Sequence, residues 1–112
     1  MKAKKPYWDL ERVKGLAAND RLVLSRTRAL NFFEADDTAV VTAKHVIAVL
    51  TAGKFAETLL QPAKCDVYGV EIAGTGWYLK LTIDVQPLEE LIVISLHPLE
   101  KPLKTNTGMV KP

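Results

Sequence analysis

The sequence predicts an α+β fold in which N-terminal helices pack on a curved antiparallel sheet of three to four strands. Apolar residues recur at helical spacing in the first half of the chain and alternate with polar residues at strand spacing in the second half. Helices followed by an antiparallel meander are typical of the α+β class, with the helices on one face of the sheet. The 112 residues suffice for one domain with a single core.

The first half of the chain predicts three short helices within residues 8–51. In the first of them, Leu10, Val13 and Leu16 lie on one helical face, and Asp9 is a candidate N-cap because it directly precedes the apolar repeat. Residues 22–24 are then interpreted as a short apolar link to the second helix.

Two further helix starts follow this link. Ser25 is a good N-cap for the second helix, which has Ala29 and Phe33 on its apolar side. The polar segment 36–38 ends that helix and caps the third, which is rich in valine and isoleucine and ends before Gly53.

The second half predicts four strands. The clearest covers residues 77–83, in which apolar side chains occupy one face and Tyr78, Lys80 and Thr82 the other. Pro87 marks the turn that joins this strand to the next as an antiparallel hairpin. The other strands are expected at residues 91–97, 65–72 and, more weakly, 55–60.

The chain beyond these strands has a different character. Residues 98–112 contain three prolines and Gly108 and show no periodicity, so we expect an extended or mobile strap there. The predicted organisation is therefore a single domain over residues 1–97 followed by an extended C-terminal tail over residues 98–112.

The net charge of +2 conceals an asymmetry along the chain. Residues 1–30 contain eight basic and three acidic residues, a net charge of +5, whereas the remainder has seven basic and ten acidic residues, a net charge of −3. A basic N-terminal third can form a surface that faces a polyanion. A solvated helix face with a solubilising terminus explains the same pattern and is the interpretation that charge alone favours.

Cysteine content and hydropathy predict a soluble, cytoplasmic protein. The single cysteine, Cys65, excludes an intrachain disulfide framework and fits a reducing compartment. No apolar run approaches the roughly 20 residues of a membrane helix, and no apolar segment of the signal-peptide type follows the basic N-terminus.

No general catalytic or metal-binding motif is present in the sequence. His45 and His97 have no ligand-like spacing to each other or to Cys65, so no metal site is predicted, and there is no phosphate-binding glycine loop. Cys65 is interpreted as a small buried apolar residue. The aromatic side chains of Tyr7 and Trp8 suit either stacking on a nucleic-acid base or packing in the fold, and packing is favoured.

The polar face of the predicted sheet is the one place where the sequence indicates chemistry. Tyr78 and Lys80 lie two residues apart and therefore share a face, and His97 ends the neighbouring strand. A base, a cation and an acid arranged in this way suit phosphodiester cleavage in RNA, because they remove the 2′-hydroxyl proton, stabilise the phosphorane and protonate the leaving 5′-oxygen. A solvated sheet face without catalytic function presents similar residues, so both interpretations stay open.

Four segments resemble the MqsR (motility quorum-sensing regulator) family of bacterial toxin–antitoxin toxins. They read KPYWDLERVKGL, SRTRALN, CDVYGVEIAGTGWYLKLTI and LIVISLH, and they follow the family order over roughly residues 5–97. The most specific part is DVY, followed closely by WYLKLT and LIVISL.

The resemblance implies a RelE-like ribonuclease fold that cleaves mRNA without a metal or organic cofactor. It also implies a cognate antitoxin, usually with a zinc-binding part and a helix-turn-helix, DNA-binding part. The catalytic tyrosine of the family corresponds to Tyr78, the lysine of the same motif to Lys80, and a C-terminal lysine to His97. The basic residue of the second segment corresponds to Arg26, with Arg28 close by, as RNA-binding residues.

Two positions depart from the family pattern. A family lysine corresponds to Glu57, whose carboxylate would repel a phosphate, and a glutamine corresponds to Cys65. Lys54 or Lys64 are candidates to restore the missing cation as catalytic residues. The leading hypothesis is therefore an mRNA endoribonuclease toxin. The alternatives are a catalytically degenerate relative that binds RNA or a protein without cleavage, and a structural protein that pairs a partner strand with its sheet edge.

Overall fold

The chain forms a layer of helices, a five-stranded sheet and a small C-terminal hairpin, which confirms the predicted α+β class. The computed structural model describes residues 4–25, 36–61 and 63–112. The helices within this part are α1 (Leu10–Ala18) and α2 (Asp36–Ala48). The strands are β1 (Leu22–Leu24), β2 (Phe55–Leu59), β3 (Cys65–Ile72), β4 (Thr75–Asp84), β5 (Glu90–Pro98), β6 (Leu103–Thr105) and β7 (Gly108–Val110).

The first and third predicted helices are confirmed. Asp9 caps α1, since its carboxylate accepts a hydrogen bond from the Arg12 backbone N–H at 3.1 Å, and Val13 and Ala17 form the buried face. Helix α2 corresponds to the third predicted helix. The second predicted helix, which includes Ala29 and Phe33, lies outside the described residues.

The order of the strands in the sheet is β1-β5-β4-β3-β2, and the sheet is mixed. Strands β2 to β5 pair antiparallel as predicted, but β1 pairs parallel to β5, with Leu22 opposite Leu91. The interpretation of residues 22–24 as a link is therefore wrong, and the sheet has five strands instead of three or four. Hydrogen bonding to β5 continues just past β1, because the Ser25 N–H donates to the Val93 carbonyl at 2.8 Å.

The face of the sheet that packs against the helices, here called the inner face, holds the main hydrophobic core. The apolar face predicted for residues 77–83 is confirmed, because Leu79 and Leu81 are fully buried on this side. The buried apolar inner-face residues of the sheet are Leu24, Phe55, Tyr68, Val70, Leu79, Leu81, Ile83, Leu91, Val93 and Leu96.

The opposite, outer face is covered in part by the hairpin of β6 and β7. Gly69 lies on this face beneath β6, and a Cβ atom there would lie only 2.9 Å from Leu103 Cδ2. The last fifteen residues are therefore not simply an extended strap. The hairpin forms because Gly108 takes a positive φ of 126° at its turn and because Leu103 and Val110 are paired. Asn106 attaches the turn of the hairpin to β2, because its backbone N–H donates to the Phe55 carbonyl at 3.0 Å.

Candidate functional site

Three of the predicted site residues lie together on the outer face, where β4 pairs with β5. Tyr78 is directly opposite His97, and Lys80 is directly opposite Ser95. The Tyr78 and His97 rings stack with their centroids 5.0 Å apart and their planes inclined by 9°. All three of Tyr78, Lys80 and His97 are half-buried, so each side chain retains access to solvent.

The hydrogen bond made by His97 defines the chemistry of its ring. The Nδ1 atom lies 2.8 Å from the Pro98 carbonyl oxygen. Because a carbonyl oxygen only accepts hydrogen bonds, Nδ1 is the protonated nitrogen in this contact. In the neutral ring, Nε2 is then the nitrogen that accepts a proton, and in the charged ring it is able to donate one. The stacked tyrosine and this hydrogen bond together hold the imidazole in one orientation.

Lys80 supplies a positive charge beside the stacked pair. It lies two residues from Tyr78 on the same face of β4, a distance of about 7 Å along a strand. The ion pairs found among the described residues are Arg12 with Glu89 and Lys44 with Asp20. No carboxylate in the described part of the chain therefore neutralises Lys80, and its ammonium is available to an anion.

The two other predicted cations do not lie beside the pair. The Lys64 ammonium lies 4.6 Å from the centre of the Tyr7 ring, and the Lys64 carbonyl accepts a hydrogen bond from Thr82. Because Thr82 is four residues from Tyr78, that carbonyl is about 13 Å along β4 from the pair. Lys54 ends a short 3₁₀ turn before β2, and β3 separates β2 from β4. Arg26 and Arg28 lie outside the described residues.

The two departures from the family pattern have clear structural positions. Cys65 is fully buried, with its Sγ 3.1 Å from the Ala63 carbonyl, which confirms its interpretation as a small buried residue. Glu57 is exposed on β2 opposite Val67, and Val67 is opposite Lys80 on its other side. Two strand spacings of about 4.8 Å therefore separate Glu57 from Lys80. At about 10 Å in water, two charges interact by only about 0.4 kcal/mol before screening by salt.

Asp66 is an important residue that the sequence reasoning did not single out. Its fully buried carboxylate accepts hydrogen bonds from the backbone N–H groups of Tyr7 at 2.9 Å and Trp8 at 2.8 Å, and from the Thr58 hydroxyl at 2.7 Å. These bonds fasten the N-terminal segment across the end of β3. The signal was present in the sequence, because an acidic residue inside an otherwise apolar strand requires buried partners.

The N-terminal aromatic residues are positioned by this attachment. Trp8 packs against the hydrophobic core and donates its ring N–H to the Lys64 carbonyl at 2.8 Å, so the favoured packing interpretation is confirmed for Trp8. Tyr7 meets the Trp8 ring edge-on at 4.8 Å, and half of its surface is exposed.

A cavity of about 400 Å³ lies on the inner-face side, between α2 and the β3–β4 turn. His45 and Trp77 are among its lining residues. It is therefore separated from the Tyr78–His97 pair by the sheet, and the two histidines belong to different surfaces. Tyr68, also on the inner face, is fully buried, and its hydroxyl has no hydrogen-bond partner among the described residues. Burial, together with nearby Asp66 and Asp9, raises the pKa of that hydroxyl above its usual value.

Metal-ligand clusters and membrane-spanning helices are both lacking among the described residues. No group of three or more histidine, cysteine or acidic side chains in that part of the chain is arranged to hold a metal ion. No helix in the same part has the length and apolar character needed to cross a bilayer. No protein-family model matches the chain, and no curated protein matches it.

Proposed function

We propose that this protein is an endoribonuclease toxin of a type II toxin–antitoxin system, with a RelE-like ribonuclease fold, that cleaves mRNA in the cytoplasm. The observation that carries the proposal is the stacked Tyr78–His97 pair with Lys80 two residues from Tyr78 on the same face of β4. An imidazole, a phenol and a lysine that no carboxylate of the described residues neutralises share one strand pair, and these are the groups that RNA transesterification requires.

The proposed reaction is attack of a ribose 2′-oxygen on the adjacent phosphorus. Tyr78 acts as a phenolate base that removes the 2′-hydroxyl proton and becomes the neutral phenol, or it positions that hydroxyl while water takes up the proton. Lys80 stabilises the negative charge of the phosphorane as the new P–O2′ bond forms. His97, with Nε2 protonated, donates its proton to the 5′-oxygen as the P–O5′ bond breaks. The products are a 2′,3′-cyclic phosphate and a free 5′-hydroxyl, and no metal or organic cofactor takes part.

Histidine suits this role because an imidazole both accepts and donates protons in general acid–base catalysis. The hydrogen bond from Nδ1 to the Pro98 carbonyl reserves Nε2 for substrate. Stacking on Tyr78 further restricts the ring, so that little rotational freedom remains to be lost when RNA binds.

The test is cleavage of RNA by the purified protein with EDTA present. We expect His97→Ala to lower the rate by about 10²-fold or more, the usual contribution of a general acid, and Tyr78→Phe and Lys80→Ala to lower it substantially. His45→Ala is the matched control, because it removes the other histidine, on the inner-face side, and should leave the rate unchanged. Equal cleavage by the wild type and the His97 and Tyr78 variants would reject the site, and a product without a 2′,3′-cyclic phosphate would reject the reaction.

A second candidate function is a catalytically degenerate relative that binds RNA or a protein without cutting. The observation that favours it is the location of Lys64, whose ammonium lies over Tyr7 instead of beside the pair. This candidate predicts that an RNA oligonucleotide binds to the protein and remains intact. It also predicts that expression in a bacterium does not arrest growth.

The partner in the leading proposal is an antitoxin of the helix-turn-helix type encoded beside this protein. Controlled expression of the toxin alone should stop growth and deplete bulk mRNA, and co-expression of the neighbouring small gene should restore both. Growth arrest that the neighbouring gene does not relieve would contradict the proposed partner.

A further inference from the structure

The end of the chain crosses the outer face directly beside the Tyr78–His97 pair. Gly76 lies two residues before Tyr78 on β4, and a Cβ atom at this glycine would overlap the Lys111 carbonyl oxygen. Leu99 lies two residues after His97, and its backbone N–H donates to the Gly76 carbonyl at 2.7 Å. The Lys111 backbone therefore lies over Gly76, and this position is about 7 Å from the stacked pair along β4.

The hairpin borders the same pair from the direction of β3. Gly69 is directly opposite Tyr78 on β3, and Leu103 and Thr105 pack on it from β6. Val67, the next outer-face residue of β3, is fully buried. The C-terminal segment thus covers the β3 side of the outer face, whereas Tyr78, Lys80 and His97 stay half-exposed. The C-terminal segment therefore borders the half-exposed Tyr78 and His97 on that side.

The two glycines explain how the chain approaches so closely. Gly69 and Gly76 both lie on the outer face, and neither has a side chain to hold the C-terminal segment away from the sheet. Any larger residue at Gly76 would displace the Lys111 backbone. The position of Lys111 is consequently determined by the packing of the sheet rather than by a free terminus.

We propose that Lys111 supplies the second cation of this site and binds a phosphate of single-stranded RNA next to the scissile one. This inference rests on the proposed function. Lys80 lies two residues beyond Tyr78 along β4, and Lys111 lies over the residue two before it. The two lysines therefore bracket the stacked pair along the strand. Their separation of about 13 Å along β4 suits an extended polynucleotide that passes over the pair.

The charge and reach of Lys111 fit this role. Its side chain is exposed, and no carboxylate in the described part of the chain forms an ion pair with it. The flexible four-carbon stem of lysine is long enough to cover one two-residue step of a strand. The cations that the sequence suggested lie farther away. Lys54 is separated from β4 by β3, and Lys64 is beside Thr82, near the end of β4 that is distant from the pair.

The experiment measures binding without cleavage. A fluorescently labelled 2′-O-methyl RNA oligonucleotide, which has no attacking hydroxyl, is titrated with the full-length protein at several salt concentrations. We expect Lys111→Ala to raise the Kd about 5- to 10-fold. The slope of log Kd against log salt concentration should fall by about 1, the loss of one phosphate contact. Lys111→Arg should keep both values near those of the wild type, because arginine retains the charge.

Lys104→Ala is the matched control. Lys104 is an exposed lysine of the same hairpin, but it alternates with Leu103 and Thr105, which face the sheet, so its side chain lies on the far side of β6. We expect its Kd to stay within twofold of the wild type. An unchanged unfolding midpoint for Lys111→Ala excludes a folding defect as the cause of weaker binding.

The outcomes separate this inference from the proposed function. If Lys111→Ala binds the oligonucleotide as tightly as the wild type, with the same salt dependence, the inference is wrong even if unmodified RNA is cleaved. If the wild type does not bind the oligonucleotide at all, the inference is wrong as well. If binding depends on Lys111 but unmodified RNA stays intact, the phosphate contact stands and the nuclease function fails.

Discussion

Replacement of Asp66 by alanine is the most informative perturbation of the fold, because one carboxylate joins three parts of the chain. It accepts hydrogen bonds from the N-terminal segment through Tyr7 and Trp8 and from β2 through Thr58. All of these bonds are between 2.7 and 2.9 Å long, and the carboxylate is fully buried. Removal of the carboxylate would leave three donors without their acceptor.

The magnitude follows from those three bonds. A hydrogen bond to a charged group contributes about 1.5–3 kcal/mol, so three of them set an upper limit of roughly 4.5–9 kcal/mol. The cost of burying the carboxylate, several kcal/mol, offsets part of this contribution. The donors also regain water if the N-terminal segment detaches. We therefore expect Asp66→Ala to lower the free energy of unfolding by about 3–5 kcal/mol, a large part of the roughly 5–15 kcal/mol typical of a domain.

The assay is urea unfolding at neutral pH, followed by tryptophan fluorescence and paired with amide hydrogen exchange. Protection of the Tyr7 and Trp8 amides should disappear in Asp66→Ala, because their acceptor is gone. Asp84→Ala serves as the control, since Asp84 is exposed and accepts one hydrogen bond, from the Gln86 N–H at 3.1 Å. Its effect should stay below about 1 kcal/mol. A loss of less than about 1 kcal/mol for Asp66→Ala, with the two amides still protected, would refute this account of the N-terminal attachment.

Two further predictions concern Tyr68 and the glycines. Tyr68→Phe should change the free energy of unfolding little at neutral pH, because the buried hydroxyl has no partner in the described part of the chain. Burial raises the folded pKa of Tyr68, so above about pH 10 only the unfolded state loses this proton. The wild type should then lose about 1.4 kcal/mol per pH unit relative to Tyr68→Phe, and parallel curves in alkaline urea titrations would contradict this. Gly76→Ala should lower the free energy of unfolding by about 1–3 kcal/mol by displacing Lys111. Gly15→Ala, in the open middle of α1, should raise it by up to about 1 kcal/mol, and the same sign for both glycine variants in thermal unfolding would reject the packing argument.

The sequence predicted well those parts of the fold in which the alternation of apolar and polar residues continues over enough residues to be recognised. Strand β4 alternates over seven residues between a buried face and a polar one, so its pattern correctly assigned Tyr78 and Lys80 to the same side. Strand β1 has only three residues, and its parallel pairing with β5 joins segments about 70 residues apart. A pattern of that length does not distinguish a strand from a link.

Strand geometry alone predicted only the part of the candidate site that lies on β4 and β5. Opposed positions on neighbouring strands brought Tyr78 and His97 together as expected. The location of Lys64 was not predictable in this way, because it depends on an N-terminal segment that folds back and places Tyr7 beneath its ammonium. The C-terminal hairpin depends similarly on Gly69, whose missing side chain makes room for a partner more than 30 residues further along the chain.

The Asp66 attachment and the Tyr78–His97 pair lie on opposite faces of the sheet. Asp66 and Tyr68 alternate with Val67 along β3, and both belong to the inner face, with the core and the helices. Tyr78 and His97 belong to the outer face, where both side chains are half-exposed. Because the sheet separates the two sets, their substitutions should act independently and additively. An Asp66 variant that remains folded should therefore keep its affinity for RNA, whereas a His97 variant should lose cleavage and about 1–3 kcal/mol of the free energy of unfolding at most, from the lost ring stack and hydrogen bond.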